Sequence, residues 1–147
     1  MKRLLALTLV LAAAAAQADG DRTPPPAFYL QECGACHAPF PARGLGAAAW
    51  TQIVDGLPRH FGSDASLDAA TTARLRAYLA ANASTKRAAE VPPELRMTRS
   101  SWFVREHREV PASTWQRPAV KSAANCAACH TTADRGIFDE HDLRVPR

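Results

Sequence analysis

The chain has 147 residues and carries 18 basic against 14 acidic side chains, a formal net charge of +4 that falls to +2 once Lys2 and Arg3 are set aside. No run of five or six like charges occurs and the basic residues do not alternate with aromatics, which argues against a nucleic-acid-binding protein. The length allows one domain or two very small ones and excludes a large multidomain catalyst.

The first 18 residues, MKRLLALTLVLAAAAAQA, combine a basic start, an apolar stretch and an Ala-Gln-Ala end. That pattern predicts a secretory signal peptide over 1–18, and the apolar stretch is too short for a spanning helix. The expected product is a soluble, exported, periplasmic protein. A first domain is expected over 19–85. In it a helix over 27–32 follows Pro24-Pro25-Pro26 and leads into Cys33-Gly34-Ala35-Cys36-His37. A second helix is predicted over 47–56, where Trp50, Ile53, Val54 and Leu57 recur at helical spacing, and a third over 67–82, with Ser66 as its N-cap and Leu75, Tyr78, Leu79 and Asn82 along one stripe. His60 stands between the last two, in Leu-Pro-Arg-His-Phe-Gly.

A polar stretch over 84–94, with Pro92-Pro93, interrupts the helical pattern and marks a second domain over 86–147. A short helix over 100–110 would place Phe103, Val104 and His107 on one face. The stretch 125–132 carries Cys126-Ala127-Ala128-Cys129-His130, and the remainder reads as loop around Pro111, Pro118 and Pro146. The fold class expected is mainly α, in two small cofactor-centred halves, the second short and loop-rich. Each half alone is near or below the size at which an apolar core suffices.

All four cysteines fall into two copies of C-x-x-C-H. In this pentapeptide two thiols three positions apart can form thioether bonds to the two vinyl groups on one edge of a haem, and the adjacent histidine supplies the iron with an imidazole. A thioredoxin-like redox motif would need a βαβ context, which neither copy has. A zinc site would give no reason for a histidine after both pairs. Two covalent c-type haems are therefore expected, on Cys33 and Cys36 and on Cys126 and Cys129, with His37 and His130 as proximal ligands.

The distal ligands can be counted. Outside the leader the sequence has one methionine, Met97, and beside the two motif histidines it has His60, His107 and His141. His60 is the one such candidate in the first half. His107 shares a helical face with apolar residues, and His141, in Phe-Asp-Glu-His-Asp, reads as solvated among acids. Met97 reads as a packing residue, with ligation the minor alternative; a thioether would raise the haem potential relative to a second imidazole.

The run from Glu32 to His37, Trp50, His60-Phe61-Gly62, the stretch 64–68, Tyr78-Leu79, Trp102-Phe103, Arg105-Glu106-His107, the run from Asn125 to His130 and the Val145-Pro146-Arg147 ending together resemble the small bacterial dihaem cytochrome c family. The resemblance covers essentially all of 19–147. It implies a class I-like amino-terminal domain, a distinct carboxy-terminal haem domain, bis-histidine ligation with His60 and His107 as distal ligands, and an electron carrier rather than an enzyme. It also implies redox partners: a membrane cytochrome b as donor and a small oxygen-binding, high-spin c-type haem protein as acceptor. Keeping each ligand within its own half pairs His60 with His37 and His107 with His130. The competing expectation is a peroxidase-like haem enzyme or gas sensor with one open coordination site.

Overall fold

The computed structural model describes residues 24–147; the expected leader lies outside the described residues. The architecture is helical, as the patterning predicts. Among the described residues four α-helices follow in order, α1 (Ala27–Gly34), α2 (Ala47–Asp55), α3 (Ala69–Asn82) and α4 (Ser101–Glu106), joined by short 3-10 turns. Among the described residues there is no strand, only isolated bridges between His60 and Ser63 and between His130 and Leu143.

Pro26, extended at ψ 145°, ends the proline run and starts α1 by accepting the amides of Tyr29 and Leu30 at 2.9 and 3.2 Å. The buried residue of α1 is Tyr29, whose hydroxyl donates to the Phe40 carbonyl at 2.6 Å. Phe28 lies half-buried between the edge of Tyr78 and the Arg74 guanidinium. Helix α2 buries Ala49, Trp50 and Val54, and the Trp50 indole donates to the Ala42 carbonyl at 2.7 Å, so the ring enters the core with its polar atom satisfied. Gly56 closes it by donating to Gln52 and Ile53.

Helix α3 begins two residues later than the sequence suggests, and its N-cap is Asp68 rather than Ser66. The Asp68 carboxylate accepts the amides of Ala70 and Thr71 at 2.9 and 3.0 Å and the Thr71 hydroxyl at 2.6 Å. Ser66 instead donates its own amide to Asp64 in the turn before. Leu75 and Leu79 face the core, Tyr78 is half-buried against it, and Asn82 lies outside it, donating to the Tyr78 carbonyl.

The core does not stop at the linker. Met97, 6% exposed, packs with Tyr29, Leu45, Trp50, Leu57, Leu75 and Leu79, and Trp102 lies against the same cluster. The second half is held to this cluster as it leaves the linker. Glu90 accepts the amide and hydroxyl of Ser101, and the fully buried Ser100 hydroxyl accepts the Phe103 amide at 3.1 Å, capping α4. Helix α4 ends at Glu106, short of the expected 110, and within it Val104 points outward at 58% exposure while Phe103 is buried. The expected face shared by Phe103, Val104 and His107 thus reduces to Phe103 and His107.

Beyond α4 the chain is loops and 3-10 turns, as expected. The carboxy-terminal residues form a strap over the second motif: Thr131 bonds the Asp142 carbonyl through its amide and its hydroxyl, and the Arg144 amide donates to the Cys129 carbonyl at 2.7 Å. At Gly136, with φ +68°, a Cβ would stand 2.5 Å from the Pro25 side chain, so only glycine lets this turn close onto the start of α1.

Candidate functional site

The two pentapeptides occupy helical turns of different kinds. Cys33 lies in the last turn of α1, and Cys36 and His37 follow its end. Cys126 opens the 3-10 turn Cys126–Ala128, and Cys129 and His130 follow directly. None of the four cysteines is in a disulfide. Burial pushes the thiols of Cys33 and Cys126 up to about 11, the negative charge of Glu32 adding to the effect at Cys33. Surroundings that oppose a thiolate suit a thioether, which has no charge to desolvate.

The structure brings the histidines together in two pairs. The rings of His37 and His60 have centroids 6.3 Å apart with planes 19° from parallel. Those of His107 and His130 stand 6.2 Å apart with planes at 74°. An iron between two imidazoles, about 2 Å from each ligating nitrogen, sets the ring centroids about 6 Å apart. Both pairs have the spacing that one metal ion between them requires, and the donor set fits haem: two thiols and two imidazoles at each place.

The ring nitrogens fit the same use. In His37 Nδ1 meets the Ala38 carbonyl at 2.8 Å, and in His107 Nδ1 meets the Phe103 carbonyl at 3.0 Å, which leaves Nε2 of each ring for a metal. His130 has its Nδ1 buried without a hydrogen-bond partner. Burial first, and the facing imidazole second, holds His60 and His130 below the usual imidazole range, in the neutral form that can ligate.

Aromatic rings that the sequence reading did not single out stand beside the motif histidines. Phe40 stacks on His37 at 4.8 Å and Phe138 meets His130 edge-on at 5.4 Å. Phe40, three residues after the first motif, was the more visible of the two. Of the tryptophans, Trp115 approaches His107 at 5.9 Å, while Trp50 is core.

The remaining candidates stand apart from the pairs. The His141 side chain is 71% exposed and its Nδ1 contacts the nearly buried Asp139 carboxylate at 2.7 Å. Met97 is in the core of the first half. Among the described residues no group of three or more histidine, cysteine or carboxylate side chains is clustered to hold a metal ion by itself, and no helix is long and apolar enough to cross a membrane.

Comparison with protein families matches residues 29–138 to the one described as "Dihaem cytochrome c". Among solved structures, a diheme cytochrome type c from Shewanella baltica OS155 is 38% identical with a TM-score of 0.68, over 82% of this chain and 92% of that one. A diheme cytochrome c from Rhodobacter sphaeroides is 41% identical with a TM-score of 0.65, over 76% of this chain and 94% of that one. A second structure from Rhodobacter sphaeroides, of purified DHC, is likewise 41% identical, with a TM-score of 0.61 and coverage of 76% and 95%. Comparison with curated proteins gives no match.

Proposed function

Since the chain belongs to the dihaem cytochrome c family, we propose that it is an electron carrier holding two covalent haems, each between a motif histidine and a distal histidine. The observation that carries this reading is the pair of facing imidazoles at metal-spanning separation, 6.3 and 6.2 Å. Cys33, Cys36 and His37 with His60 would hold one haem; Cys126, Cys129 and His130 with His107 would hold the other. A c-type haem supplies a one-electron iron couple, and imidazole on both sides favours a lower potential than methionine would.

The protein's own part would be to hold two imidazoles toward each iron. The carbonyls of Ala38 and Phe103 orient His37 and His107 and raise their basicity, and Phe40, Phe103 and Phe138 wedge the rings. With an imidazole on each face, no position remains for peroxide or oxygen in the resting state, which favours the carrier over the peroxidase-like reading. The leader, together with the covalent attachment chemistry, supports a periplasmic location. The family resemblance supports a membrane cytochrome b as donor and a small high-spin c-type haem protein as acceptor.

The test is spectroscopic. The purified protein should contain two covalent haems per chain by the pyridine haemochrome assay and show only low-spin bands. Near-parallel imidazole planes split the iron d orbitals and near-perpendicular planes leave them close to degenerate. Paramagnetic resonance of the oxidised protein should therefore show one rhombic and one strongly anisotropic low-spin signal. His60→Ala and His107→Ala should each convert one haem to high spin, and His141→Ala neither. A high-spin haem in His141→Ala, with His107→Ala fully low-spin, would reassign the second distal ligand.

A further inference from the structure

The two distal histidines are anchored very differently. His107 closes α4 with its amide on the Phe103 carbonyl at 3.0 Å, sets Nδ1 on the same carbonyl, and stacks at 4.0 Å on the buried Phe103 ring, with Trp115 alongside. His60 sits at the start of a two-residue turn closed by the Ser63 amide on its carbonyl at 3.0 Å. Among the described residues no hydrogen bond orients its ring. Its ring neighbour on the turn is the edge of Phe61, itself 47% exposed.

Both central residues of that turn have positive φ, Phe61 at 50° and Gly62 at 96°. For a phenylalanine this is a strained conformation that the turn must impose. A Cβ added at Gly62 would meet nothing within 4 Å, so open space lies on the outer side. The Ala65 amide donates to the Leu57 carbonyl at 2.9 Å and ties the base of the loop, so an outward swing of 58–64 as a flap would give up the longer bond of the His60 amide to the same carbonyl, 3.3 Å, without unpacking Leu57 from the core. The Arg96 guanidinium, 4.9 Å over the Phe61 ring, braces the flap from the second half of the chain.

We propose that His60 is an exchangeable ligand, so that the amino-terminal iron admits a small neutral diatomic, carbon monoxide or nitric oxide, while the His107 site stays closed. The inference rests on the ligand assignment above. In the exchange the bond from iron to the His60 imidazole breaks, the imidazole leaves neutral with the flap, and the lone pair of the diatomic takes the position. No electron or proton changes place.

Carbon monoxide titration of the dithionite-reduced, two-haem protein tests this by visible absorption. One molecule should bind per chain. His107→Ala should then bind two and His60→Ala one. Arg96→Ala, which removes the brace from the flap, should raise the association rate severalfold in a chain with all its ligands. No binding to a protein that is low-spin at both haems overturns the inference and leaves the carrier reading intact. Two bound by His60→Ala with one by His107→Ala places the open site at the wrong haem and also overturns it. An unchanged rate in Arg96→Ala removes the flap as the cause. High-spin bands before any carbon monoxide is added would instead defeat the ligand assignment itself.

Discussion

Met97 separates a packing role from a ligating one at a single side chain. Its side chain belongs to the first core cluster, and its thioether lies against Gly44 near the Trp102 ring. Met97→Ala should therefore leave an unfilled space and cost about 2–5 kcal/mol in chemical denaturation of the haem-loaded protein. The visible spectrum and the haem potentials should stay as they are; a new high-spin band would mark Met97 as a ligand. At this scale the sequence is legible wherever chemistry is written into residue order. The C-x-x-C-H copies need neighbouring residues, so they can be read directly. The aromatic at His130 is Phe138, eight positions on, and nothing short of the folded strap brings it there.

Helix α3 shows the same division at the scale of an element. Its apolar repeat announces a helix, and Leu75 and Leu79 do fill the core. The cap was misread because Ser66 and Asp68 are both capable of the role, and the choice depends on which side chain the incoming turn leaves free. Asp64 draws the Ser66 amide into that turn, and Asp68 is left to face the helix. Its bonds from Thr71, first the side chain and then the amide, hold the Asp68 carboxyl below the usual aspartate range. A depressed value stabilises the fold fully above the unfolded aspartate range and loses that contribution as the pH falls through the folded value. Asp68→Ala should thus lower Tm at neutral pH. The gap from the parent should close on acidification below the ordinary aspartate range; a gap that persists there would deny the carboxylate its part. In α4 the helical repeat was visible but its end was not. The turn at His107 depends on a ring stacking back onto Phe103, which spacing alone does not reveal.

For the whole molecule, two cofactors stand in for core. The apolar cluster of the first half recruits Met97 and Trp102 from beyond the linker, and the second half buries little more than Phe103, Val120, Ala133 and Ile137 as large or fully covered apolar groups. Chain expressed without haem attachment should lack a cooperative far-UV melt, whereas the loaded protein should melt in one transition. A cooperative melt of the haem-free chain would show that the polypeptide core suffices.

The contact of Gly136 with Pro25 joins points about 110 residues apart, so it closes almost the entire described chain into a ring. Contacts of such long sequence separation form late, after the local helices and their neighbours have already collected. The same junction is the place to look for the earliest opening: the Gly136 and Ile137 amides should exchange their hydrogens before those of α2 and α3, with the molecule unbuckling at its ends while both haem-bearing halves remain folded.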